Sequence, residues 1–168
     1  MTETLEEALP ADVDSLVAVL LKQVCDRELK LVTAESCTGG LFASLLTDVE
    51  GCSHAFERGF VVYTNQAKHQ LLGVPLDLIE SLGAVSEPVA RAMAQGALVA
   101  SHGDIALAIT GFAGRGGPED EPGLVHFALA RHNAQTTHRV EHFGDIGRGP
   151  VRLACLRTGL QMIDQALR

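Results

Sequence analysis

Leu16, Val17, Val19, Leu20 and Val24 recur at three- and four-residue intervals behind Asp12 and Asp14. That spacing predicts an amphipathic helix over 12–27, capped by one of the two acids. Residues 29–34 read as a short buried strand, and Leu41, Phe42, Leu45 and Leu46 mark a second helix over 41–47. Gly51-Cys52-Ser53 ends it, and the apolar run 60–63 predicts the next strand. Asn65 is placed to cap a helix over 66–72 that stops at Gly73, and Pro75 opens another over 75–82 closed by Gly83. Ser86-Glu87-Pro88 is a helix start by cap, dipole and proline position, and the alanine-rich pattern behind it runs to about 101. Residues 104–110 are apolar enough for a strand buried on both faces. A glycine-rich loop over 111–122 follows, then two strands over 124–130 and 136–143 joined as a hairpin around His132-Asn133. The last helix, over 150–167, carries Leu153, Leu156, Leu160, Ile163 and Leu167 on one face.

Helices interleaved with five strands must cover both faces of one sheet, so the expected fold is a three-layer α/β/α sandwich. The closing hairpin forces antiparallel pairing, which makes the five-stranded sheet mixed. With 46% hydrophobic and 20% charged residues the chain has globular composition, and its 168 residues are expected to form a single domain behind a flexible acidic stretch, 1–11. A net charge of −8 argues against nucleic acid or an anionic membrane as partner, since both need a basic face. Any anionic ligand would need a local cluster of Arg, Lys or backbone N–H groups. No apolar run is long enough to span a bilayer, and the acidic start is unlike a signal peptide, so a cytoplasmic location is expected. Cys25, Cys37, Cys52 and Cys155 form no C-x-x-C pair and are expected reduced. His126, His132, His138 and His142 lack ligand spacing, so no metal site is expected.

Ligands of such sheets sit at strand ends. Three loops qualify: 35–40, 63–68 and 110–117. Taken singly their residues have plain structural readings. Ser36 fits a turn serine, Cys37 a small buried hydrophobe, and Lys68 a solvated lysine. Gly111-Phe112-Ala113-Gly114 lacks the Lys-Ser/Thr ending of a P-loop.

Taken together they resemble one family. Ala34-Glu35-Ser36-Cys37-Thr38-Gly39-Gly40, Phe56-Glu57-Arg58-Gly59-Phe60 with Tyr63, Asn65, Ala67 and Lys68, Gly83 to Ala90, and Ile109-Thr110-Gly111-Phe112-Ala113-Gly114 occur in the order seen in the CinA C-terminal-domain family. Stand-alone members of that family are nicotinamide mononucleotide deamidases, and the resemblance runs from about Asp12 to Leu167. It implies hydrolysis of the carboxamide of nicotinamide mononucleotide within pyridine-nucleotide (NAD) recycling, without a cofactor and in a homo-oligomer. It further implies Ser36 as nucleophile, Lys68 as base and Tyr63 as a proton-handling or orienting partner.

An amide is a poor electrophile, so such a reaction needs a nucleophile, a base and an oxyanion site. The backbone of Thr38, Gly39 and Gly40 at a helix start is the candidate oxyanion hole. Only about one lysine in 2,500 is neutral at pH 7 with an ordinary pKa, so Lys68 must be desolvated or lie near a cation such as Arg58. Thr110 with the backbone of Gly111 to Gly114 is a candidate phosphate cradle, joined by Arg148, whose segment is spaced differently from the family's Gly-Asp-Arg run. The loop after Gly114 is shorter than the family's and lacks its Lys; Arg115 is the candidate replacement. Two alternatives stand beside this reading: Cys37 as a thiolate nucleophile at a helix N-terminus, and a non-catalytic nucleotide-binding module associated with competence or DNA damage.

Overall fold

The computed structural model describes residues 9–168. Its five-stranded sheet has the spatial order β2-β1-β3-β4-β5, formed by Leu31–Glu35 (β1), Phe56–Val61 (β2), Ile105–Gly111 (β3), Leu124–Arg131 (β4) and Thr137–His142 (β5). Helices α1 (Ala11–Asp26), α2 (Leu41–Thr47) and α6 (Arg148–Leu167) cover one face. The other carries α3 (Asn65–Leu72), α4 (Leu76–Leu82) and α5 (Glu87–Val99). The expected three-layer α/β/α sandwich with a mixed sheet is therefore the fold observed.

β1 pairs in parallel with β2 on one side and β3 on the other, whereas β3-β4 and β4-β5 are antiparallel. The chain leaves β1 through α2 to β2, then returns through α3, α4 and α5 to β3. The connections thus cross from one face to the other around β1, and its carboxyl end becomes the crevice where such sheets take ligands. Ser36, Tyr63 and the loop after Gly111 all emerge at that edge.

The two layers pack at different depths because the strands sort their side chains by size. In β3, Ile105, Leu107 and Ile109 face α1, α2 and α6, while Ala106 and Ala108 face α5. Small strand residues let α5, itself built from Ala90, Ala94 and Ala97, lie close to the sheet. Gly96 on its flank does the same toward α3, since a Cβ there would fall 1.9 Å from the Leu72 carbonyl oxygen.

Several boundaries differ from expectation. β2 is Phe56–Val61, not 60–63, because at the sheet edge its pairing with β1 is made by the backbone of half-exposed polar residues that leave no apolar run. Gly59 belongs inside it: a Cβ there would lie 2.8 Å from Thr33 Oγ1 and 3.0 Å from Ala43 Cβ, so its absence lets α2 close over the edge. Asn65 is the first residue of α3, and the cap is Thr64, whose hydroxyl accepts the Ala67 N–H at 3.0 Å. α1 begins at Ala11 after Pro10 without a side-chain cap, and Asp12 pairs instead with Arg157 of α6. The expected flexible stretch 1–11 falls mostly outside the described residues. α6 starts two residues early, at Arg148, because Pro150 is tolerated in a first turn whose N–H groups have no helical acceptor. Among the described residues no helix is long and apolar enough to cross a membrane.

Ala is a better helix former than Gly by roughly 1 kcal/mol, so Gly96→Ala would stabilise an isolated helix. Here the clash with the Leu72 backbone reverses the sign. Urea denaturation should show Gly96→Ala destabilised by about 1–3 kcal/mol, the usual cost of overpacking; a stabilised variant would contradict the close α3–α5 contact.

Candidate active site

The turn that carries Ser36 is shaped by a buried carboxylate. Glu35, the last residue of β1, is fully buried, and its two oxygens accept the backbone N–H groups of Gly40 at 3.1 Å, Phe42 at 3.0 Å and Ala43 at 2.8 Å. These are the orphan donors at the start of α2, and a negative charge there also suits the helix dipole. To bring α2 back onto the strand that precedes it, the chain turns through Gly39 at φ +61° and Gly40 at φ +91°, conformations that disfavour any side chain.

Ser36 leaves β1 on the opposite face from Glu35, and its N–H donates to the Ile109 carbonyl at 2.9 Å. From α3, Lys68 reaches up to it: Nζ lies 3.1 Å from Ser36 Oγ, 2.9 Å from the Val62 carbonyl and 3.3 Å from the Tyr63 carbonyl. Lys68 is only 1% exposed, and no carboxylate pairs with it among the described residues. Desolvation therefore lowers its pKa below the ordinary lysine value. A neutral amine has two N–H donors and one lone pair. With the donors held by the two carbonyls, the lone pair faces the Ser36 hydroxyl, the geometry of a general base.

Tyr63 contributes through its main chain, while its side chain is 65% exposed, and its hydroxyl bonds neither Ser36 nor Lys68. The expected oxyanion donors need correction. Gly40 N–H is bound to Glu35 and Gly39 N–H donates to the Ser36 carbonyl at 3.1 Å, so neither is free. Within the turn the N–H groups of Cys37 and Thr38 are the ones without a protein partner among the described residues. Arg58 is not the cation beside Lys68. It lies three residues down β2 from Val61, about 10 Å away at strand spacing, and pairs with Glu57.

Thr110 adjoins Ser36 in the sheet, but its hydroxyl is buried and donates to the Ala84 carbonyl at 2.8 Å, tying the loop before α5 to the sheet. Gly111 is a packing glycine, where a Cβ would sit 2.7 Å from the Leu124 carbonyl oxygen. Gly114 and Arg148 do come together, with Arg148 Nη2 3.4 Å from where a Gly114 Cβ would be. Arg115 turns outward to pair with Asp145. Cys37 is buried in the core cluster that also holds Cys155, yet it lies near enough to Lys68 for the two to interact electrostatically. His126 and His138 contact each other at 3.0 Å, and His138 lies 3.4 Å from Glu87; no set of three metal-ligating side chains occurs among the described residues.

Two residues of the site escaped sequence reasoning in their roles. Glu35 reads as one more polar residue of the turn, and only its three-fold acceptance reveals its part. Arg152 holds the Thr38 carbonyl at 2.8 Å from the second turn of α6. Its signal was its position four residues after Arg148, on the same helix face.

The architecture and site define an α/β/α protein with a buried Ser–Lys pair at the carboxyl end of a parallel strand. The family model for the CinA C-terminal domain matches residues 13–167, and the chain belongs to that family. A CinA-like protein of Geobacter sulfurreducens is 52% identical over 157 residues, covering 92% of this chain and 37% of the relative. Another CinA-like protein, from Syntrophus aciditrophicus, is 44% identical over 158 residues, 93% of this chain and 37% of the relative. The chain thus spans about a third of the length of the curated relatives it matches. The crystal structure of the competence/damage-inducible protein CihA from Agrobacterium tumefaciens superposes with a TM-score of 0.90 at 44% identity, covering 95% of this chain and 97% of that one. A CinA superfamily protein from Escherichia coli gives a TM-score of 0.85 at 36% identity, with coverage of 92% and 90%.

Glu35→Gln isolates the carboxylate. The amide has one oxygen acceptor and places an NH2 against the third backbone donor, so urea denaturation should show a loss of about 1–3 kcal/mol. An unchanged midpoint would show that water serves the start of α2 equally well.

Proposed function

We propose that this protein hydrolyses the carboxamide of nicotinamide mononucleotide to nicotinate mononucleotide and ammonia. The observation that carries the reading is the 3.1 Å approach of a buried, carboxylate-free Lys68 Nζ to Ser36 Oγ. A surface lysine has no need of that setting, and a module that only binds nucleotides has no use for it. The substrate itself is the one implied by the family resemblance.

Lys68 takes the proton of Ser36 as Oγ attacks the carboxamide carbon. Charge on the carbonyl oxygen is met by the Cys37 and Thr38 N–H groups, donors of a kind typically worth about 3–4 kcal/mol each to the transition state. The lysine then returns its proton to the departing nitrogen, ammonia leaves, and a water activated by the same amine cleaves the acyl-enzyme. Arg148 and Arg152, with the backbone at Gly114, supply positive potential for the phosphate in a chain whose net charge of −8 would otherwise repel it. The proposed setting is pyridine-nucleotide recycling in the cytoplasm, by a homo-oligomer that needs no metal.

Ammonia release from nicotinamide mononucleotide tests the activity, and nucleotide binding without turnover would favour the non-catalytic alternative. Ser36→Ala should lower kcat by at least about 1,000-fold, as loss of a nucleophile does elsewhere. Retained activity in that variant, or its loss in Cys37→Ser with Ser36 intact, would move the nucleophile to Cys37. Because the base must be neutral, kcat/KM should fall tenfold per pH unit below the lowered Lys68 pKa. Lys68→Arg, which cannot deprotonate, should be inactive across that range.

A further inference from the structure

Arg152 connects the place where an anion would sit to the residue that would attack. Six arginines pair with carboxylates: Arg58, Arg91, Arg115, Arg139, Arg157 and Arg168. Among the described residues four have no such partner: Arg27 and Arg131 donate to the Leu167 and Ala166 carbonyls at the end of α6, whereas Arg148 and Arg152 lie near its start, although the chain carries an excess of acids. One helical turn apart, they reach different loops: Arg148 lies beside Gly114, and Arg152 Nη2 is 3.8 Å from where a Gly39 Cβ would be. Arg152 Nε is buried without a hydrogen-bond partner among the described residues, an arrangement that costs free energy unless something else satisfies it.

The same guanidinium is wired to the nucleophile. Nη2 donates to the Thr38 carbonyl at 2.8 Å. That carbonyl shares one rigid peptide plane with the Gly39 N–H, which donates to the Ser36 carbonyl at 3.1 Å. A shift of the guanidinium therefore bears on the Thr38–Gly39 peptide, whose N–H holds the Ser36 carbonyl.

We propose that Arg152 is a positioning residue that couples the phosphate of the substrate to the geometry of Ser36. The phosphate binds the guanidinium edge not used by Thr38, and Arg148 shares its charge. This binding fixes the nucleophile turn, so the phosphate promotes turnover and not only affinity, as remote binding energy can. The proposal rests on the amidohydrolase reading and makes the enzyme selective for a mononucleotide over the corresponding riboside.

The test measures kcat and KM for nicotinamide mononucleotide and nicotinamide riboside in wild type, Arg148→Gln and Arg152→Gln, with and without inorganic phosphate. The loss in Arg148→Gln should fall chiefly on KM, and that in Arg152→Gln on kcat, by about 100-fold for the mononucleotide. Inorganic phosphate should accelerate riboside hydrolysis by wild type about tenfold or more, as a substrate supplied in two pieces, and should fail to do so in Arg152→Gln. An effect of Arg152→Gln confined to KM, or a wild-type riboside rate indifferent to phosphate, would overturn the coupling while leaving the amidohydrolase reading standing. Absence of ammonia from both substrates with wild type would overturn both. Thermal unfolding of Arg152→Gln separates the outcomes from misfolding, and Arg152→Lys, which keeps the charge and a donor for Thr38, should recover part of kcat.

Discussion

Three backbone N–H groups at the start of α2 need an acceptor, and the Glu35 carboxylate supplies it from the end of the strand before. That short-range ion–dipole contact folds the chain back on itself within five residues. It can do so only through two left-handed glycines. The tightness of the turn lifts Ser36 out of the sheet on one face while Glu35 is buried on the other. The glycine pair thus serves the fold first, and the site exploits the geometry that results.

The proposed reaction also needs a base, and the second layer offers a buried amine for that part. Lys68 is tolerated under the sheet edge because three oxygens receive it, yet none of them carries a full charge to hold its proton. A nearby carboxylate would raise its pKa and remove the base; burial among neutral acceptors lowers it. The choice of partner, rather than depth alone, decides what this lysine can do. Across the turn the opposite condition holds, where Arg148 and Arg152 pair with no carboxylate among the described residues and leave positive potential at the strand ends.

The hydrophobic pattern determined most of the architecture. The amphipathic periods of α1, α5 and α6, the doubly buried β3 and the β4–β5 hairpin announce themselves because each buries a recognisable face, and their alternation requires the three layers. The order of motifs also singled out Ser36 and Lys68. What the pattern could not show was anything settled by the backbone at an edge or by a contact between distant segments. β2 was misplaced because an edge strand pairs through peptide groups and needs no apolar run. Thr110, Gly111 and Gly40 were assigned to a ligand, whereas the fold itself uses their hydroxyl, their lack of a Cβ and their N–H.

The sequence alone therefore determined the layers, the strand-end location of the site and the two residues at its centre, because local periodicity and motif order are properties of the chain. Only the tertiary structure decided their surroundings. Whether Lys68 is solvated or desolvated depends on Val62, Tyr63 and Ser36 converging on its Nζ, and whether Arg152 reaches the turn depends on α6 meeting Thr38 114 residues away along the chain. Protonation and orientation are set by neighbours in space, and neighbours in space are what a linear pattern leaves open.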